Sequence, residues 1–203
     1  MIRFFILSLM MMMGVTLSVA PMAYAQDAAV EATTEEAETP SIADMLAEVE
    51  FLTKAKPKKK VSVYFMLRSH YNCGFCRKIT PDLITAYKAM KGKGAEIILL
   101  SADSDVNVAE KWAKEAGMTY PIVTNATTDK VKVPAGGSGG YPNITVVSAD
   151  GDVLDNASGA TACTELVNRW KEFVKDTKKA EKAKKTAAKK AAKAKKAEAS
   201  LED

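Results

Sequence analysis

Histidine is almost missing from this chain of 203 residues: His70 stands alone, and cysteine occurs three times, at Cys73, Cys76 and Cys163. A structural zinc site normally takes four ligands. Beyond the Cys73–Cys76 pair only His70 and Cys163 remain to complete one, with no second cysteine pair, so no metal is expected. Three cysteines are also too few for a disulfide-dense mini-protein. Only one apolar run, Phe4 to Ala20, approaches bilayer-spanning length, which excludes a polytopic membrane protein. The glycine-rich run AGGSGG at 135–140 lacks a following Lys-Ser or Lys-Thr, so it is no phosphate-binding loop and reads as a rim beside Pro142.

What is present is unevenly distributed. The formal net charge is +4, an average that conceals four regions. Residues 26–53 carry eight acidic and no basic side chains, residues 54–60 carry five lysines, residues 61–177 balance thirteen against thirteen, and residues 178–203 carry ten lysines against four acids. The balanced stretch is the expected folded domain and the charged stretches are appendages.

Residues 1–25 read as an export signal: Arg3, the apolar run, then Ala23-Tyr24-Ala25 with small side chains where a signal peptidase requires them. The competing reading is an uncleaved membrane anchor. No cysteine follows Ala25, so a lipid-modified N-terminus is not indicated, and either reading places the domain outside the cytoplasm, periplasmic or secreted, where disulfides persist. Residues 26–40 form an acidic linker with too little apolar surface to order itself. Residues 41–60 hold an amphipathic helix over about 41–55, capped by Ser41 with Asp44, followed by a basic linker.

Val61 to Leu67 is a continuous apolar, β-branched and aromatic run, as for a strand covered on both faces. The spacing predicts a helix over 74–91 and a second buried strand over Ala95–Leu100. A third helix follows, capped by Asp103 or Ser104, with Trp112 and Ala113 inward and Gly117 at its end. After a loop-prone stretch come strands at 144–147 and 153–154 joined by Ala149-Asp150-Gly151, and a last helix from about Thr161 to Lys175. The order βαβα then ββα predicts an α/β domain: a mixed central sheet of about four strands, with two helices on each face. An added N-terminal helix and a Lys/Ala-rich C-terminal tail complete the chain.

Cys73-Gly74-Phe75-Cys76 falls where the first strand hands over to the first helix of this domain. Unpaired N–H groups and the positive dipole end there favour a thiolate on the first sulfur, and the second lies one turn further in. Pro81 removes one helical donor, and Tyr141-Pro142 precedes a strand, where an X-Pro bond can be cis. In this combination the chain resembles the thioredoxin superfamily: hydrophobic strand, Cys73-x-x-Cys76, Pro81, Pro142 before the hairpin, and Gly159 before the last helix. CRKITPDL and AEIILLSAD look most like the tryparedoxin and nucleoredoxin branch and its bacterial secreted relatives.

The resemblance implies a thioredoxin-like fold and an exported thiol–disulfide oxidoreductase. It implies Cys73 as attacking thiol, Cys76 as resolving thiol and partner in a disulfide, and Pro142 as the cis-proline facing them. Partners would be protein thiols and disulfides and a redox partner protein; no cofactor is implied. The chain departs from the pattern in having Asn72 where Trp is usual and no acidic residue in strand 61–67 to serve as buried proton acceptor.

Rival readings stay open on the residues themselves. The Cys73–Cys76 pair is redox-active or merely a structural disulfide in a non-catalytic adaptor that holds extended peptides along the Pro142 edge. A peroxide-reactive Cys73 would want a Pro-x-x-x-Thr-x-x-Cys arrangement, which is absent. His70 tunes the Cys73 thiolate or is an exposed loop histidine. Phe75 and Tyr141 are candidate substrate contacts. Cys163 is a buried small hydrophobe or a third redox thiol. The lysine tail is a solvated helix extending from the domain or a tether to an anionic envelope surface, with no specific nucleic-acid partner expected.

Overall fold

The computed structural model describes residues 40–58, 60–133 and 140–199, with side chains to Lys193. The expected export signal, most of the acidic linker, most of the glycine-rich run and the last four residues lie outside the described residues. Among those described, no helix is long and apolar enough to cross a membrane.

The first described element is α1 (Ile42–Ala47), where Ser41 and Asp44 form the expected capping box. The helix ends eight residues earlier than its periodicity predicts. Val49 stays buried, but Phe51 forms a β-bridge with Val123, and the Leu52 amide donates to the Ile122 carbonyl at 2.8 Å. The apolar residues at 49–52 therefore serve an extended segment along a sheet edge.

Strand β1 (Val63–Ser69) is buried from Val63 through Leu67 because it lies at the centre of the sheet. Helix α2 (Gly74–Met90), strand β2 (Ala95–Ser101), helix α3 (Val106–Ala116) and strand β3 (Ile122–Val123) follow. A 3-10 turn over Asn125–Lys130 leads towards β4 (Asn143–Ser148) and β5 (Val153–Ser158). The strand order is β3-β2-β1-β4-β5, parallel from β1 through β3 and antiparallel across β4 and β5. The sheet thus has five strands where about four were expected. The extra one, β3, is two residues long and directly follows Pro121, too short to leave a periodic signal.

The helices are distributed differently from the expected two per face. Stepping from β1 to β2 to β3 moves in one direction across the sheet, so two right-handed crossovers set α2 and α3 on the same side. There Phe65, Leu67, Ile97 and Ile144 pack with Leu83, Tyr87 and Trp112, joined by Cys163 of α4 (Ala160–Asn168) and Phe173 of α5 (Trp170–Ala199). The opposite side, with Tyr64, Met66, Ile98 and Leu100, is covered by Ile42, Met45 and Leu46 of α1 together with Val131 and Val133.

The single last helix expected over 161–175 is two. The chain turns at Arg169, whose guanidinium is held 3.1 Å from both Asp155 and Glu172. Helix α5 then continues for 30 residues, ~45 Å at 1.5 Å per residue. From Lys182 to Lys193 its described side chains are exposed. Lys184, 3.7 Å from Asp150 and 3.6 Å from Asp152, leans on the β4–β5 turn, where Gly151 takes the positive φ of 95° that a side chain would resist.

Candidate active site

The polypeptide leaves the carboxyl end of β1 at Ser69, turns through His70-Tyr71-Asn72, and enters α2 with Cys73 as the N-cap. The Cys73 amide donates to the His70 carbonyl at 3.3 Å, which closes the turn. Its sulfur accepts the Cys76 amide at 3.2 Å, so the thiol occupies the place a serine or aspartate oxygen takes in an ordinary cap. The sulfur thus takes up one of the N–H groups left open at the first turn of a 17-residue helix.

The two thiols are unequal. Cys73 is half-buried and Cys76 is 1% exposed, while Phe75 between them is 64% exposed and forms the rim. All three cysteines are free thiols. Burial pushes the Cys76 thiol up to about 11, hydrogen bonding to Cys73 adds to the rise, and the Ser69 hydroxyl and the His70 backbone pull the other way.

Across from the pair, the Tyr141–Pro142 bond is cis. The Cys73 thiol lies 3.4 Å from the Tyr141 carbonyl, to which it donates. Tyr141 is 40% exposed, and its ring meets the His70 ring edge-on with centroids 4.9 Å apart. The residues singled out from the sequence, Cys73, Cys76, Pro142, His70, Phe75 and Tyr141, therefore come from the β1–α2 junction and the start of β4 to one end of the sheet. His70 is engaged with Tyr141 by its ring and with Cys73 by its carbonyl.

Cys163 lies behind this constellation. It is fully buried, with its thiol 3.5 Å from the Pro142 carbonyl and 3.6 Å from that of Ala157. Burial pushes it up to about 12, with Cys76 nearby contributing in the same direction. Such a thiol is neutral near pH 7 and packs as a small apolar group.

Two residues beside the pair were missed in the sequence. Ser69, 2% exposed, contributes its hydroxyl to Cys76; only its position at the end of a buried strand could have pointed to it. The sequence offers Asp103 or Ser104 as the cap of α3, but Asp105 caps it instead, accepting the Asn107 amide at 2.9 Å. Asp103 is turned inward, 7% exposed, towards the turn that precedes Cys73.

The sequence profile of the AhpC/TSA family matches residues 32–155. A stretch of 137 residues is 27% identical to the probable nucleoredoxin 1 of Arabidopsis thaliana, covering 61% of this chain and 22% of that protein. The chain thus spans about a fifth of the length of that curated relative. Among solved structures, the fold is similar to a DsbF homologue from Corynebacterium diphtheriae, with TM-score 0.50 and 17% identity over 61% of this chain and 82% of that one. A thiol:disulfide interchange protein from Bacteroides sp. aligns with TM-score 0.45 and 23% identity over 57% of this chain and 75% of its own. The fold is thioredoxin-like.

Proposed function

The chain belongs to the AhpC/TSA family, and from that premise we propose that it is a thiol–disulfide oxidoreductase working on protein substrates through Cys73 and Cys76. The observation that carries the proposal is the inequality of the two thiols. Cys73 is accessible and receives an N–H at 3.2 Å, whereas Cys76 is buried one helical turn further in and keeps its proton.

The Cys73 thiolate attacks one sulfur of a partner disulfide, forming a mixed disulfide and releasing the partner's other sulfur as a thiolate. Cys76 then loses its proton and attacks the Cys73 sulfur, so that Cys73–Cys76 becomes oxidised and the partner leaves as a dithiol. Run backwards, the same steps oxidise a partner. Phe75 and Tyr141, both exposed beside Cys73, supply apolar contact for the partner chain near the Pro142 edge. Residues 1–25 act as an export signal, and the protein works in the periplasm or after secretion, where a redox partner protein resets the pair. The lysines of α5 hold it to an anionic envelope surface.

Insulin reduction with dithiothreitol tests the enzyme. Thiol-dependent turnover that Cys73→Ser abolishes is expected. Turnover equal to the uncatalysed rate, unchanged by that substitution, would leave only a peptide-binding adaptor with a structural disulfide.

A further inference from the structure

The parallel pairing of β1 and β2 ends at Ser69 opposite Ser101, yet the two chains stay joined beyond it. The Ala102 amide donates to the Ser69 carbonyl at 3.0 Å. One residue later the Asp103 carboxylate reaches across: Oδ1 accepts the Tyr71 amide at 2.9 Å, and Oδ2 accepts the Ser101 hydroxyl at 3.2 Å. The Asp103 amide in turn donates to the Ser101 oxygen at 3.2 Å, so both carboxylate oxygens and the backbone of Asp103 are fixed. A carboxylate this buried is retained only where such partners hold it.

What it holds is the turn carrying Cys73. Tyr71 is the middle residue of His70-Tyr71-Asn72, and no other described side chain accepts its amide. The His70 carbonyl at the start of that turn accepts the Cys73 amide. The Tyr71 ring is then clasped from the helices, with the Arg77 guanidinium 5.2 Å above its centroid and Trp112 edge-on at 6.3 Å.

We propose that Asp103 is the positioning residue for the attacking thiol: its carboxylate holds the His70–Asn72 turn in the shape that seats the Cys73 sulfur on the Cys76 amide. This rests on the reading of Cys73 as the attacking thiol. The role is geometric, and its sign separates it from an electrostatic one. A negative charge near a thiol disfavours the thiolate, so a residue acting by charge would, when neutralised, let Cys73 ionise at lower pH. A residue acting by position would, when lost, deprive the sulfur of its N–H and move ionisation to higher pH.

The experiment is the pH profile of Cys73 alkylation by iodoacetamide in the reduced full chain, with Cys76 and Cys163 changed to alanine so that one thiol reports. Asp103→Asn keeps an oxygen for the Tyr71 amide and removes the charge; Asp103→Glu keeps the charge and displaces the oxygen by one methylene. The profile is expected to stay in place for Asp103→Asn and to move to higher pH by about one unit for Asp103→Glu and Asp103→Ala, a ~tenfold loss of rate below the midpoint. A shift to lower pH in Asp103→Asn, or no shift in Asp103→Glu, overturns the proposal, and this pair decides even if Asp103→Ala does not fold. The readout needs no turnover, so a wild-type protein inactive on insulin would defeat the redox reading while leaving the positioning result to stand or fall alone.

Discussion

The buried second thiol sets a rate that can be worked out from its surroundings. With a pKa of about 11, Cys76 is ionised in only ~1 molecule in 10,000 at pH 7, and that fraction rises ~tenfold for each pH unit. Once Cys73 is tied up in a mixed disulfide, its contribution to the rise is gone, while burial, the largest cause, remains. Resolution should therefore accelerate steeply with pH well above neutrality. Ser69 offers an independent lever, because its hydroxyl favours the ionised sulfur. Removing one such hydrogen bond costs about 1 kcal/mol, which slows resolution ~fivefold at fixed pH. The assay charges Cys73 with an aromatic disulfide and follows release of the second aromatic thiol by stopped-flow absorbance from pH 6 to 9. The expected result is a log-rate rising with a slope near one, and a parallel line for Ser69→Ala displaced downward. A flat profile, or a Ser69→Ala line at or above the parent's, would refute the reasoning.

The same burial makes the reduced protein sensitive to alkali. Cys76 and Cys163 are raised to about 11 and about 12, above the ~8.5 of an unfolded chain, so the folded state keeps its protons longer. Stability measured in urea should hold below pH 8.5 and fall as pH climbs from about 9 towards 12, less steeply in Cys163→Ala; equal stability at pH 8 and 10.5 would contradict this. Phe65→Ala empties a fully buried site where the ring meets Phe173 edge-on at 5.9 Å, and should cost ~3–5 kcal/mol by denaturant titration. Ending the chain after Lys182 removes, among the described side chains, exposed ion pairs between Lys184 and the β4–β5 turn and the bond from the Thr186 hydroxyl to the Lys182 carbonyl within the helix, all worth little, so stability should change by less than about 1 kcal/mol. The truncated protein should lose salt-sensitive binding to anionic lipid vesicles, which sedimentation measures, each lysine near such a surface being worth ~1 kcal/mol.

Long, locally consistent patterns carried much of the architecture into the sequence. The apolar run at 63–67, the helix after Cys73 and the proline opening the hairpin each agree with what their neighbours require, and together they bring the Cys73 thiol to the carbonyl of Tyr141, the residue before Pro142. Tertiary pairing decided the rest. Leu52 continues the helical spacing of Ile42, Met45, Leu46 and Val49, yet it is drawn out with Phe51 to meet β3, and β3 exists because Ile122 and Val123 find β2 beside them. At the break, Arg169 meets Asp155, fourteen residues back in the chain and adjacent only after folding. Asp103 precedes a helix and reads as its cap, but two residues later Asp105 does that work, freeing Asp103 to face Tyr71. Ser69 carries no motif at all, and only the arrival of α2 over the end of β1 makes its hydroxyl a neighbour of Cys76.

The central claim is that Cys73 attacks and Cys76 resolves. Its most direct measurement is mass spectrometry of the reduced protein after incubation with a protein disulfide substrate, acid-quenched, in Cys73→Ser and Cys76→Ser side by side. The account predicts that Cys76→Ser accumulates a covalent adduct mapped to Cys73 and reversed by dithiothreitol, while Cys73→Ser accumulates none. An adduct on Cys76 in Cys73→Ser, or none in either variant, would contradict it.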